Sequence, residues 1–471
     1  MLLALALPNV ASTAAESLAS FVDFAIVSTL GPEAQAAVSS AGLVYFSVFG
    51  FCLGMMVCVT TVVSQSLGVG RLRDCSAYGW QGVWLSMVCG LVGIALWPVI
   101  PGFYAWVGHD VIVQQMESEY TQIRLLGLGV SGAAVALGHF FNGIHEPRHN
   151  AYSVIGTTLL NLFLSYGLVQ GRLGMPAMGV AGAALGSVIA NLVRALWLLG
   201  VMCNGRIAVK YEARRAWPLQ WDKMRRLARV GWPAGISFMV DITAWAVLMA
   251  VIIGQFGTHH LAASATCWRF TDLSFMPAIG IGHAVCTLVG RSIGEGRPDL
   301  ARRRTLLGAL LNMGYMGGMA LMFVLFGREL MELFSDVPEV ITLGTQLLVL
   351  AALFQLFDAT CITYSNALRG AGDTRWPAVV GGLQVWILMV GGAALTARLF
   401  PEWGARGPWI VATFFVVVIG ITFALRWRLG PWEQMDVIGR GGEPSVFEAI
   451  PTDPLVPEDG EQDFAPAEEA P

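Results

Sequence analysis

Residues 204–229 read NGRIAVKYEARRAWPLQWDKMRRLAR. The stretch carries Arg206, Lys210, Arg214, Arg215, Lys223, Arg225, Arg226 and Arg229 against Glu212 and Asp222 alone, between two long apolar regions. Each such cation costs roughly 2.5–3.5 kcal/mol at the centre of a membrane-spanning helix, so the stretch belongs on a bilayer surface. The chain on its N-terminal side is repeated on its C-terminal side. LGPEAQAA at 30–37 matches FGTHHLAA at 256–263, and VSQSLGVGR at 63–71 matches VGRSIGEGR at 289–297, both at an offset of 226 residues. The basic stretch, 204–229, therefore links two copies of one unit, 1–203 and 230–428.

The composition places both units in a membrane. A chain of 471 residues that is 55% hydrophobic and 13% charged is too apolar for a soluble globular protein of that length. Runs of about 20 apolar residues recur, enough to cross roughly 30 Å of hydrocarbon as helix, and the alternating ten-residue pattern of a barrel does not. The fold class is thus an all-α integral membrane protein. The net charge of −4 is segregated by location, which leaves no nucleic-acid partner. The eight cysteines are scattered through apolar segments without a C-x-x-C pair and read as small apolar fillers. Met1 opens directly into an apolar run with no charged region before it, so no cleavable signal is expected and the first helix stays.

Twelve spans are expected, at 2–28, 36–66, 77–99, 116–140, 150–171 and 178–203, then 230–254, 261–290, 303–326, 343–367, 376–397 and 408–428. Six helices return each unit to its starting side, so the two lobes are expected to be parallel repeats about an axis along the membrane normal. Charge placement supports this. With both termini in the cytoplasm, 21 of the 28 cations fall in inside connections, among them Arg71, Arg73, Arg291, Arg297, Arg302, Arg303, Arg304, Arg369, Arg375 and Arg440. A multi-pass inner (plasma) membrane protein is the expectation. Residues 429–471 are rich in Pro, Glu and Asp, end in EDGEQDFAPAEEAP, and read as an acidic disordered tail dispensable to the membrane core.

Within the spans the informative residues are acids, because an ionisable group in hydrocarbon is expensive and marks ion or substrate pathways. Glu16 and Asp23 lie on one face of the first span, Asp241 midway along the seventh, and Asp358 well inside the tenth. A carboxylate poised between burial and a nearby cation can exchange a proton or Na⁺ for a cationic substrate. Of the three arginines within spans, Arg269 has Asp272 at i+3, Arg124 lies two turns after Glu117, and Arg194 has no local partner. In NALRGAGDTRWP at 366–377, Gly370 and Gly372 are expected to end one helix, Asp373 or Thr374 to cap the next, and Pro377 to sit in its first turn. Without a preceding strand or a G-K-[ST] the glycines do not make a phosphate loop.

The two sixes of spans, FVD at 21–23, LGPEAQAA at 30–37, GMPAMGVAGAALGSVIAN at 174–191 and LRGAGDTRWP at 368–377 together resemble the multidrug and toxic compound extrusion (MATE) family over residues 1–428. The resemblance implies a monomeric, cation-coupled antiporter that exports amphipathic, cationic organic compounds in exchange for Na⁺ or H⁺, with no cofactor. Carried over residue by residue, it implies ion coupling by Asp23, Asp241 and Asp358, with Glu16 added from its position. It implies substrate contacts from Asn161, Asp23 and Asp358, and Asp241 with Asp358 as the Na⁺ ligands. Two departures stand out: Ser165, four residues after Asn161, replaces an acid found in some members, and Phe354 lacks a hydroxyl that some Na⁺-coupled members carry. The rival solutes on this architecture are lipid-linked saccharides and organic acids, but a pyrophosphate-binding cavity calls for more than three intramembrane cations. A membrane enzyme would need a metal or nucleophile constellation, and no H-E-x-x-H, Cys-His pair or G-x-S-x-G is present; His259 and His260 are expected in a solvated outer loop.

Overall fold

Because hydrocarbon offers the backbone no hydrogen-bond partner, each apolar run must satisfy its own amides as helix. The computed structural model describes residues 1–435 and 437–439 and shows that outcome. Among the described residues, eleven helices are long and apolar enough to span a membrane, and a bent pair makes twelve. In chain order they are α1 (Leu2–Ser28), α2 (Pro32–Gly68), α3 (Leu72–Val107), α4 (Val111–Leu126 with Leu128–Gly143), α5 (Pro147–Gln170) and α6 (Gly179–Cys203). α7 (Trp221–Phe256) begins inside the basic stretch, earlier than expected, and is followed by α8 (Thr258–Gly294), α9 (Pro298–Leu325), α10 (Pro338–Ala371), α11 (Arg375–Leu399) and α12 (Arg406–Leu429). Proline opens α2, α5, α9 and α10, where its fixed φ suits a first turn and its missing amide proton is no loss.

The repeated motifs adopt repeated backbone conformations. Gly31 before α2 has φ 108° and ψ 173°, and its counterpart Gly257 before α8 has φ 96° and ψ 176°. At the far ends of the same two helices Gly70 and Gly296 have φ of 83° and 71°. Side chains other than Gly rarely tolerate these values, which explains why glycine recurs at both sites. The helices also exchange partners symmetrically: α1 packs along α8 and α7 along α2, while α1 with α5 and α8 with α10 pack within their own halves.

Three local features were not legible in the sequence. α4 bends by 50° at Gly127, where the absent side chain admits Val188 of α6. α7 and α11 each contain a π-helical stretch, Leu248–Ile253 and Val385–Gly391, of the kind that interrupts the regular ladder inside a helix. The NALRGAGDTRWP turn differs from expectation in part. Gly372 ends α10 in the left-handed conformation, at φ 97°, but Gly370 remains helical and is small because the carbonyl of Cys286 lies against it. Thr374 takes the N-cap position of α11, but no side-chain hydrogen bond caps the helix. Asp373 instead accepts from Arg426 at 2.8 Å, and Thr374 donates to the Val230 carbonyl at 2.7 Å.

Composition begins the polar tail at 429, yet the chain remains packed well beyond that point. Trp432 is fully buried and Ile438 is 3% exposed, so these two residues are packed although their Pro- and Glu-rich surroundings read as a polar tail. Residues 440–471, including Arg440 and the acidic terminus, lie outside the described residues.

Candidate functional site

The acids predicted within the spans fall into two clusters. On the first-half side, Asn161 of α5 donates to Asp23 of α1 at 2.5 Å. Ser165, one turn further along α5, is also beside Asp23, although its hydroxyl, like Asp23 Oδ1, has no partner of ordinary hydrogen-bond geometry. Arg124 of α4 lies near enough for its charge to act on Asp23, and its guanidinium sits 4.3 Å from the centroid of the Tyr45 ring. Glu117, the acid expected near Arg124, is fully buried and bonds His109 at 3.0 Å instead.

Glu16 is not part of this cluster. Arg194 of α6 reaches it at 3.2 Å and also donates to Asn150 of α5 at 3.0 Å, tying three helices together. Arg194 is 12% exposed and Glu16 51%, so the pair neutralises a nearly buried guanidinium from a wetter carboxylate. The partner of Arg194 lies 178 residues away in sequence, beyond reach of any local pattern.

Asp241 of α7 and Asp358 of α10 form the second cluster, each within range of the other's charge. Asp241 is exposed and Asp358 half-buried. Among the described residues neither carboxylate meets a cationic side chain or a hydrogen-bond donor. That separates them from Glu16 with Arg194, Asp23 with Asn161 and Asp373 with Arg426. Phe354, one turn before Asp358, is buried and stacks on Trp409 at 6.5 Å, facing the α12 side. No group of three or more His, Cys, Asp or Glu gathers among the described residues, so any cation here would draw on two carboxylates plus neutral oxygens. Among the described residues no hydrogen bond or charge interaction joins Asp23 to Asp358, and the residues expected to touch substrate fall in two clusters.

The sequence did not reveal how the halves close on one another. Thr61 of α2 donates to the Arg369 carbonyl at 2.9 Å and Gln65 to the Gly370 carbonyl at 2.9 Å. Ser64 and Gly290, and Gly68 and Gly294, face each other across the same seam. Further in, the rings of His139 (α4) and His283 (α8) meet edge-on at 5.2 Å, with Thr60 Oγ1 2.9 Å from His139 Nδ1. The repeat supplied a signal for the seam, since Ser64 and Gly68 are equivalent to Gly290 and Gly294. His260, expected in a loop, lies in the first turn of α8 and accepts from the Ala405 amide at 3.2 Å.

The MatE family model matches this chain twice, over residues 8–167 and 233–395. Among curated proteins, "Probable multidrug resistance protein NorM" of Agrobacterium fabrum is 28% identical over 431 residues, 90% of each chain. "Multidrug resistance protein PmpM" of Pseudomonas aeruginosa is 29% identical over 429 residues, covering 87% of this chain and 86% of that one. Among solved structures, a multidrug resistance MATE family transporter of the MOP superfamily in an outward-facing conformation superposes with a TM-score of 0.83. It shares 20% identity and covers 91% of this chain and 94% of its own. The eukaryotic MATE transporter AtDTX14 gives 0.80 at 19% identity, over 92% of this chain and 96% of that one. Two family matches, separated by the basic linker and carried on twelve helices, make this chain a member of the multidrug and toxic compound extrusion family of membrane transporters.

Proposed function

We propose that the protein exports amphipathic, cationic organic compounds from the cytoplasm in exchange for Na⁺ or H⁺, and that Asp241 and Asp358 hold the coupling ion. The observation that carries this reading is the pair itself: two intramembrane acids within range of each other's charge and without a protein partner among the described residues. Like charges close together inside a protein repel by on the order of a few kcal/mol, which a bound cation or shared proton removes. The ion then binds one arrangement of the helices more tightly than another, and that difference in affinity is the coupling.

Membrane orientation is argued from the cations. The end of the molecule bearing Arg71, Arg73, Arg291, Arg297 and Arg302 faces the cytoplasm, as does the linker, with both termini on that side. The seam of Thr61, Gln65, Gly68, Gly290 and Gly294 closes that end, so Asp241 is reached from outside. Both clusters are built from one chain, and a monomer suffices. Asp23 and Asn161 contribute to substrate binding in the first half, while Glu16 serves as the counter-ion of Arg194 and not as an ion-coupling group. The lipid-linked saccharide and organic-acid rivals gain nothing, because two of the three intramembrane arginines are already engaged, Arg124 with Tyr45 and Arg194 with Glu16.

Proteoliposomes given separate Na⁺ and H⁺ gradients test this. A fluorescent organic cation should accumulate under one gradient and not in its absence; accumulation independent of either gradient contradicts antiport. A tenfold gradient of one monovalent ion supplies about 1.4 kcal/mol, and a second ion per cycle adds about 2.3 kcal/mol per 100 mV.

A further inference from the structure

The buried hydrophobic side chains form two large separate clusters. One gathers residues of α2, α3, α4 and α6 of the first half together with Met224, Leu227, Val230 and Ala234 of α7, and the other, from Ala244 to Trp427, lies in the second half. The chain that leaves α12 enters both. Trp432 belongs to the second cluster: its ring stacks on Trp427 at 3.9 Å and 4°, and its Nε1 donates to the Trp427 carbonyl at 2.5 Å. Beside it, Glu433 pairs with Arg302 of α9 at 2.7 Å. A few residues on, Ile438 is buried in the first cluster, and Val437 packs against the same cluster and touches Gly372. Arg226 of α7 donates to the Ile438 carbonyl, and Arg71, between α2 and α3, donates to the Gly439 carbonyl at 3.3 Å.

We propose that Trp432, Glu433 and the Val437–Gly439 segment act as a strap that holds the basic end of the transporter shut, joined to the second half at Trp427 and Arg302 and to the first half at Arg71 and the cluster that takes up Ile438. The two anchors are unequal. Trp432 is five residues beyond Trp427 and is an extension of α12, so it travels with the second half. The second anchor is mixed: Val437 against Gly372 and Arg226 on the Ile438 carbonyl stay with the second half, so what must release when the halves part is the place of Ile438 among the first-half residues of its cluster and the Arg71 hydrogen bond to the Gly439 carbonyl. The inference rests on the proposed alternation between two openings, since a strap across a seam that never opens would have no consequence for transport.

Distances between spectroscopic labels at Arg73 and Asp299 test it. These exposed residues occupy equivalent places in the two repeats, after α2 and after α8. In lipid membranes the full chain and a chain ending at Gly439 should both favour the short distance. A chain ending at Met435, and full-length Ile438→Asp, should each raise the ratio of long to short distance about tenfold or more, a shift of about 1.4 kcal/mol. The truncation keeps Trp432 in place and the substitution keeps the whole chain, so agreement between them excludes misfolding as the cause. Distributions unchanged in both variants overturn the strap, as does a chain ending at Gly439 that opens as readily as one ending at Met435. Gradient-driven export by the unlabelled full chain judges the antiport reading separately, because it involves none of these variants.

Discussion

Gly68 and Gly294, equivalent residues of the two repeats 226 positions apart, face each other across the seam: a Cβ on Gly68 would lie 2.7 Å from Gly294 Cα, and one on Gly294 2.8 Å from Gly68 Cα. Neither distance accommodates a methyl group. Forcing an extra carbon into a packed contact costs typically about 1–3 kcal/mol, and here the strain falls on the closed arrangement alone. Gly68→Ala or Gly294→Ala should therefore leave expression intact and lower export roughly tenfold. Normal export by both variants would mean that the seam need not close this tightly.

Glu16→Gln should behave as a stability change. It removes the carboxylate from Arg194 and leaves the hydrogen bond to Asn150, and because Glu16 is half exposed the cost should be about 1 kcal/mol, well below that of breaking a buried pair. Thermal melts should show a modest fall in Tm, a larger one for Arg194→Gln, and less than additive loss in the double variant. Export should keep its ion dependence. Loss of that dependence in Glu16→Gln would return this acid to the coupling site.

His145, in the connection between α4 and α5, should make the protein acid-labile. Its φ is 66°, and both ring nitrogens are buried without a hydrogen-bond partner among the described residues. Burial, and then the charges of Arg291, Arg304 and Lys210, hold its imidazole well below the usual histidine range. The unfolded chain takes up this proton as pH falls through about 6.5 while the folded protein does not, so stability is lost below that pH and not above it. His145→Asn keeps a residue that tolerates positive φ and removes the titration. The difference in Tm between pH 7.5 and pH 5.5, values chosen to be roughly one unit either side of the usual histidine range, should shrink in the variant. An unchanged difference would place the acid lability elsewhere.

Much of this fold could be read from residue order alone. The spans, their pairing into repeats and the glycines that turn the chain before α2 and α8 are consequences of apolar length and of a motif that recurs. Contacts between distant helices are not, because nothing near Arg194 signals Glu16 and nothing near Arg124 signals Tyr45. The packed segment after α12 was hidden by its own composition. Trp432, Val437 and Ile438 are apolar residues in a polar run, and they are the ones the cores take up. At the acid pair, sequence supplied Asp241 and Asp358 and the resemblance implied that they share a site; their lack of partners among the described residues is a property of the folded chain.

Gradient-driven export by Asp358→Asn, compared with the parent in matched proteoliposomes, tests the central claim most directly. The amide is nearly isosteric and the carboxylate has no protein partner to lose among the described residues, so folding and Tm should be preserved. Uptake of a fluorescent organic cation should no longer respond to a Na⁺ or H⁺ gradient, and Asp241→Asn should do the same. Export by Asp358→Asn at the parental rate with the parental ion dependence would contradict the account and shift the coupling site to Asp23.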